Sequence, residues 1–436
     1  MGIRSLVKSS IFTSKHIHTP IETFYAPIWK IPNELMLLVF QKLCYDYDDK
    51  TILVKGQPNC AWPLLLSAVC SNWRRIMLDN PTLWSIISVT FTKTSKMSKG
   101  CTIFLERSKT APLIIYLRLP SSLPSGKTIR HPAFQALVNE APRWKTLYLR
   151  GDFGILRINH PMCIVASLPK LETLFLVNSE STETVSNFQL VPMPNLHKVF
   201  IPALRAPIDL QSNFPWTQLT SLRLQGLHDV PSLVKLCPNL IDLALILDCR
   251  LGEAFPQPPM AIRHKRVQSL SLWLEKDPSS CYVEEPNMLK VMKKVLDMLE
   301  FPSLVSLIVR CYQMPPLISH CIAGLAIVDR FIQRSSCTLR KFSIHNIYVF
   351  DCLDIFTTIL HHNPSIRHLI MHFDSSRSRV AQDIVDLLRP TRSSASPLSA
   401  HALQAPPTLL PKLQQVNVFT WKKNCNELQM EEIFHY

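Results

Sequence analysis

From residue 144 onward the chain repeats one short pattern of apolar and polar positions. The unit is apolar-x-x-apolar-x-apolar, usually introduced by Pro and a polar residue. It runs through Trp144, Leu147, Leu149; Leu171, Leu174, Leu176; Leu196, Val199, Ile201; Leu219, Leu222, Leu224; and Leu240, Leu243, Leu245. It continues through Val267, Leu270, Leu272; Leu304, Leu307, Val309; Leu339, Phe342, Ile344; Ile366, Leu369, Met371; and Leu413, Val416, Val418. Successive middle positions are 27, 25, 23, 21, 27, 37, 35, 27 and 47 residues apart. The alternating end of each unit predicts a short strand with one buried face. One such strand cannot bury that face alone, so parallel copies must stack, with a crossover of a dozen or more residues between them. Intervals of 21–27 suit a leucine-rich repeat, and the longer ones leave room for an added helix, such as the amphipathic stretch 288–299. The asparagine often found after the strand in such repeats has only Asn178 and Asn346 as candidates, so the repeats are irregular. The expected fold is an α/β solenoid over 144–420, with a Ser-, Pro- and Arg-rich excursion at 375–411 and a tail at 421–436.

Ahead of the repeats the pattern changes to helical. Residues 31–91 predict three helical elements: one opening at Asn33 as N-cap and running through Leu43, one over 64–78, and a short third beginning at Leu83 and Trp84. The first is apolar on nearly every side, and about sixty residues cannot enclose so many large side chains. A small helical module that completes its core on another protein is the inference. Residues 92–143 are expected to connect the module to the repeats, with an extended stretch over 112–119 and a helix over 132–140, and residues 1–30 to form a loose basic tail.

Composition narrows the function. Apolar residues make up 47% and charged residues 18%, which is a globular balance. Glycine is only 9 of 436 residues, against any fold built on phosphate-cradling glycine loops. The 13 cysteines show no CxxC spacing and fit a reducing, intracellular setting, cytoplasm or nucleus. No apolar run approaches the ~18 residues of a membrane span, so no membrane is expected. The net charge of +15 admits acidic partners without choosing among them, and the basic residues are dispersed along the chain, so no nucleic acid is expected.

Ile31, Pro32, Asn33, Glu34 and Leu35, followed by Val39, Phe40 and Leu43, resemble the first helix of an F-box, whose usual opening is Leu-Pro-x-Glu. Val69, Cys70, Trp73 and Arg74, followed by Leu78, Pro81, Leu83 and Trp84, resemble the rest of it. The resemblance extends to residue 150, and is to the F-box proteins numerous in mushroom-forming fungi. Two departures stand out: Ile31 replaces the commoner Leu, and the loop at 45–63 is longer than in the compact family pattern. The resemblance implies a substrate receptor of a cullin-RING ubiquitin ligase, with the F-box docked on the acidic ligase adaptor and the repeats holding an unknown protein target. It implies adaptor contacts from Ile31, Pro32, Leu35, Leu38, Val39, Leu65, Val69, Cys70, Trp73, Leu83 and Trp84. A leucine-rich-repeat scaffold without ligase function is the alternative.

Catalytic patterns are missing from the sequence: no GxSxG, GxGxxG, Walker A or HExxH occurs, so no catalytic residue, cofactor or metal is assigned and the chain is read as a non-catalytic subunit. His368 and His372 would suit a metal on a helix, but they fall on an expected strand. Cys70 reads as a small buried hydrophobe rather than a nucleophile.

Overall fold

The computed structural model describes residues 27–45, 62–91, 99–118, 132–151, 167–177, 191–201, 214–225, 230–248, 261–275, 286–311, 318–345, 353–374, 410–424 and 427–435. The tail before residue 27, the 46–61 loop, Asn178, Asn346 and most of the 375–411 excursion lie outside them. The chain divides into two compact units, Met1–Leu83 and Trp84–Tyr436.

The first unit holds α1 (Asn33–Tyr45), α2 (Trp62–Val69) and α3 (Ser71–Asp79), then a 3-10 turn at Pro81–Trp84 that reaches the boundary. Asn33 is not the cap. The Pro32 carbonyl accepts the first helical bond from Met36 N at 3.0 Å, so Asn33 is already inside the helix. Its side-chain oxygen accepts from Asn72 at 3.2 Å instead, tying α1 to α3. The single helix expected over 64–78 is two, because Cys70 is extended (φ −157°, ψ 171°) and caps α3, its sulfur accepting from Trp73 N at 3.4 Å.

The second unit opens with β1 (Ile86–Thr90), α4 (Lys99–Ser108), β2 (Leu113–Arg118), α5 (Pro132–Asn139) and β3 (Trp144–Arg150). Next come β4 (Thr173–Val177), β5 (Lys198–Ile201), β6 (Ser221–Gln225), α6 (Val230–Leu236), β7 (Asp242–Asp248), β8 (Ile262–Arg263) and β9 (Ser269–Glu275). Then follow α7 (Pro286–Asp297), β10 (Leu299–Glu300), β11 (Ser306–Cys311), α8 (Ile318–Ser335), β12 (Lys341–His345), α9 (Leu353–His362) and β13 (His368–Asp374). The unit closes on β14 (Gln415–Asn424) and β15 (Glu427–His435). Apart from a small parallel pair of β8 with β10, the strands form one 13-stranded sheet in strict sequence order. All pairings in it are parallel except the last, β14 with β15. The second unit is therefore α/β, a parallel sheet with helical crossovers. Its order never reverses, so the sheet has no topological switch point of the doubly wound kind.

The middle repeat positions pair directly. Leu147 faces Leu174, then Val199, Leu222, Leu243, Leu270, Leu307, Phe342, Leu369 and Val416, in unbroken register. None of these ten is more than 5% exposed. Helices cover this face: Phe356 of α9 lies 6.5 Å from Phe342, and Phe134 of α5 lies 5.8 Å from Phe91, next after β1.

The prolines that introduce the units have a structural reason. Pro169, Pro194, Pro238, Pro302, Pro364 and Pro411 each take the second place of a turn. In it the first apolar residue of the repeat donates to a carbonyl three residues back, at 3.0–3.2 Å. Residues beside these prolines then bond backward to the preceding repeat. Asn195 donates to Pro169 O (2.5 Å), Asn239 to Thr217 O (2.7 Å), Ser303 to Lys265 O (2.6 Å) and Ser365 to Leu339 O (2.8 Å). Turn side chains before the strands thus bond neighbouring repeats together.

Two expectations need correction. The extended stretch and the helix expected within 92–143 are β2 and α5, but the region is not a mere connection: β2, and β1 just before it, extend the sheet. Ile87 and Ile115 continue the row of Leu147, so the repeats begin ahead of residue 144. Residues 421–436 are not a tail, because β14 runs through Asn424 and pairs antiparallel with β15.

One partly buried polar knot fastens the β2–β3 crossover. Arg143 donates twice to Ala111 O (3.1 and 2.9 Å), once to Ser108 Oγ (2.8 Å) and once to Glu140 (2.7 Å). Arg143→Ala leaves those acceptors unpaired and is expected to lower the stability of the second unit by about 2–4 kcal/mol in urea unfolding. Lys145→Ala, which removes an exposed 3.4 Å pair with Glu172, is expected to cost less than about 1 kcal/mol. Equal losses would show that the knot is not a fastening.

Candidate functional site

The most unusual chemistry of the described residues is apolar and lies in the first unit. Among the described residues eleven large hydrophobic side chains are exposed; ten of them fall between Ile28 and Leu78, and of the eleven Ile241 alone belongs to the second unit. A soluble protein rarely gathers such residues without a partner to cover them.

Helical geometry explains how they come together. In α1 the buried residues are Met36, Phe40 and Cys44, one every four residues, so they form a single inward stripe. Ile31, Leu35, Leu38, Val39 and Leu43 are left outside it. An all-apolar helix has split into a core face and an open face. In α2 Pro63, Leu66 and Ser67 turn inward, while Leu64, Leu65 and Val69 face out. Ile76 and Met77 anchor α3.

The expected docking residues therefore divide. Leu35 is 53% exposed, Leu38 58%, Val39 48%, Leu65 54% and Val69 60%, and Ile31 and Pro32 are exposed beside them. Cys70 and Trp73 are partly buried: the sulfur caps α3, and the indole meets Phe40 edge-on at 4.9 Å. Leu83 and Trp84 offer no surface, being 1% and 0% exposed. Trp84 opens the second unit, where Phe104 packs edge-on at 5.2 Å and the Arg107 guanidinium lies 4.3 Å over the ring. Large aromatic residues in a short apolar run suit a core and a docking face equally, so sequence spacing could not separate them.

Further polar bonds hold the three helices in place. Arg74 Nε donates to Ser67 O at 2.9 Å across the α2–α3 break, Asn80 donates to Ile76 O at 2.6 Å, and the Tyr45 hydroxyl donates to Thr82 O. Exposed charged side chains lie on the same unit. Lys30, Lys42, Arg74 and Arg75 are exposed against Glu34 and Asp79, which leaves the module's described surface net positive. An acidic partner with apolar pockets would complement it.

Other candidate chemistry resolves into structure. His368 lies on β13 and its Nδ1 sits 3.1 Å from Gln415 Oε1 of the next strand. Among the described residues no group of three or more His, Cys, Asp or Glu is placed to hold a metal, and no helix is long and apolar enough to cross a membrane. Trp144 is core, its Nε1 donating to Leu137 O at 3.2 Å. No protein-family model matches the chain, and no curated protein matches it in sequence.

Thiol chemistry offers a direct check on this arrangement. Burial pushes the Cys101 and Cys337 thiols up to about 11 and that of Cys237 up to about 12, so they stay protonated at neutral pH. Cys44 is buried as well, whereas Cys70 is only partly so. Brief iodoacetamide treatment of the native chain near neutral pH, read by peptide mass mapping, is expected to label Cys70 well before these four. Labelling of Cys101, Cys237 or Cys337 at the rate of Cys70 would contradict the packing described.

Proposed function

We propose that the chain is a substrate-receptor subunit of a cullin-RING ubiquitin ligase. In this reading the first unit is an F-box module and the second an irregular leucine-rich solenoid. The observation that carries it is the open apolar face of α1 and α2, formed by Leu35, Leu38, Val39, Leu65 and Val69. Leu35, Val39 and Val69 belong to the motif that resembles the F-box, and Leu38 and Leu65 are among the contacts that the resemblance implies. Burying a large aliphatic side chain stabilises a complex by roughly 1.5–3 kcal/mol when burial is complete, so five half-exposed ones supply a substantial driving force.

Ile31, Pro32, Leu35, Leu38, Val39, Leu65 and Val69 contact the adaptor, with Cys70 and Trp73 shaping the edge of the patch. Leu83 and Trp84 support the fold and make no contact. The positive rim fits the acidic adaptor. The chain itself performs no bond chemistry; it holds a protein target on the solenoid and raises the effective concentration of target lysines near a charged ubiquitin carrier. The scaffold alternative draws its support from the 46–61 interval between α1 and α2, longer than the compact family pattern.

Co-expression of the full chain with the ligase adaptor, followed by size exclusion, tests the reading. A one-to-one complex is expected. Leu35→Asp combined with Val69→Asp should abolish it while leaving the circular dichroism and thermal midpoint unchanged, since both side chains are exposed. A wild-type chain that elutes free of adaptor, or a double variant that still binds, would overturn the proposal.

A further inference from the structure

The sheet has a second face, opposite the one covered by α5 and α9, and its chemistry is uneven. Strands β1 to β6 contain no Asp or Glu at all. Four cations project from the outward positions there: Arg118, Arg150, Lys198 and Arg223, each alternate to the inward apolar residues of its strand. Only at β7 does an acid enter this face, with the exposed Asp242 at its first position.

Beneath the cations runs a ladder of rings in the same register. Tyr116 stacks on Tyr148 at 4.2 Å and 9°, Tyr148 on Phe175 at 4.2 Å and 7°, and Phe200 follows at 6.1 Å. Lys198 lies 5.7 Å over Phe175, and the Arg223 guanidinium lies 5.1 Å over Phe200 and 3.9 Å over Trp273. The rings hold the partly buried Arg223 guanidinium in a fixed plane.

Arg118 and Arg150 make the arrangement informative. They are 32 residues apart in sequence but direct neighbours across β2 and β3, and both are exposed. Like charges at directly neighbouring positions repel, and neither forms an ion pair among the described residues. Among the described residues, Glu172 is engaged with Lys145 at the opposite end of β3. An anion spanning the two guanidinium groups would turn the repulsion into attraction.

We infer that the ends of β2 and β3 that carry the exposed Arg118 and Arg150 dock an acidic segment of a partner protein, with these two arginines as its paired anchors. The inference rests on the reading that the second unit captures a protein target, and it gives that target a chemistry. Single-stranded nucleic acid is the competing occupant. It needs open aromatic faces for its bases, and here Tyr116, Tyr148, Phe175 and Phe200 are only 2–8% exposed, stacked against one another. The exposed chemistry on these strands is the Arg118 and Arg150 guanidinium pair, which suits side-chain carboxylates.

The test measures fluorescence anisotropy of labelled deca-glutamate, and separately of oligo(dT), against the full chain at about 150 mM NaCl. Arg118→Gln with Arg150→Gln is compared with Lys293→Gln and Arg330→Gln, a pair on exposed faces of α7 and α8. The wild type is expected to bind deca-glutamate more tightly than oligo(dT). The Arg118/Arg150 variant should lose about tenfold or more in affinity, and the control pair less than about twofold. Equal losses in both variants, no binding of deca-glutamate by the wild type, or tighter oligo(dT) binding that depends on Arg118 and Arg150 would each overturn the inference. Adaptor co-elution of the same preparations separates the two proposals. Adaptor binding without peptide binding defeats this surface alone, and peptide binding without adaptor binding defeats the ligase reading alone.

Discussion

A five-residue strand has one apolar face and no means of hiding it, and the second unit is organised around that constraint. Parallel stacking in register answers it. Leu147, Leu174, Val199, Leu222, Leu243, Leu270, Leu307, Phe342, Leu369 and Val416 form one continuous row under the helices. A one-residue slip anywhere would turn a row of leucines toward the opposite face, so the register is strongly specified. The proline turns and the backward bonds of Asn195, Asn239, Ser303 and Ser365 fix the same register from the polar side. Apolar and polar patterns agree on one answer, the usual mark of a specified fold.

The first unit meets the same constraint with fewer residues and fails to satisfy it alone. Its helices bury Met36, Phe40, Leu66, Ile76 and Met77 and leave Leu35, Leu38, Val39, Leu65 and Val69 uncovered. Short helices gain most of their stability from a packed face, and a chain of this size has one such face to share among three. Leaving the second face open gives the module a driving force for association.

Ten of the strands were legible in the sequence because the apolar spacing is a direct record of their buried face. The first two were harder. Trp84, Ile87 and Val89 have the repeat spacing, but Leu83 and Trp84 also complete the helical motif and were absorbed into it. In β2 the unit is one residue short, where the register shifts between Leu113 and Ile114. The break at Cys70 was hidden because Val69 and Trp73 continue the helical period across it. Pattern named all eleven expected contact residues together and could not separate those the fold exposes from those it buries, since a buried Trp84 and an exposed Leu38 look equally apolar in sequence. The pairing of Arg118 with Arg150 was beyond reach, because neighbours across a parallel sheet are set by crossover lengths rather than by local pattern.

The central claim is that α1 and α2 present an interface while the sheet is complete in itself. Hydrogen–deuterium exchange of the full chain, alone and with the ligase adaptor, tests it most directly. The account predicts that adaptor slows exchange in residues 33–45 and 62–79 and leaves the strands from β2 to β13 unchanged. Slowing confined to the strands, or none in the helices at saturating adaptor, would contradict it.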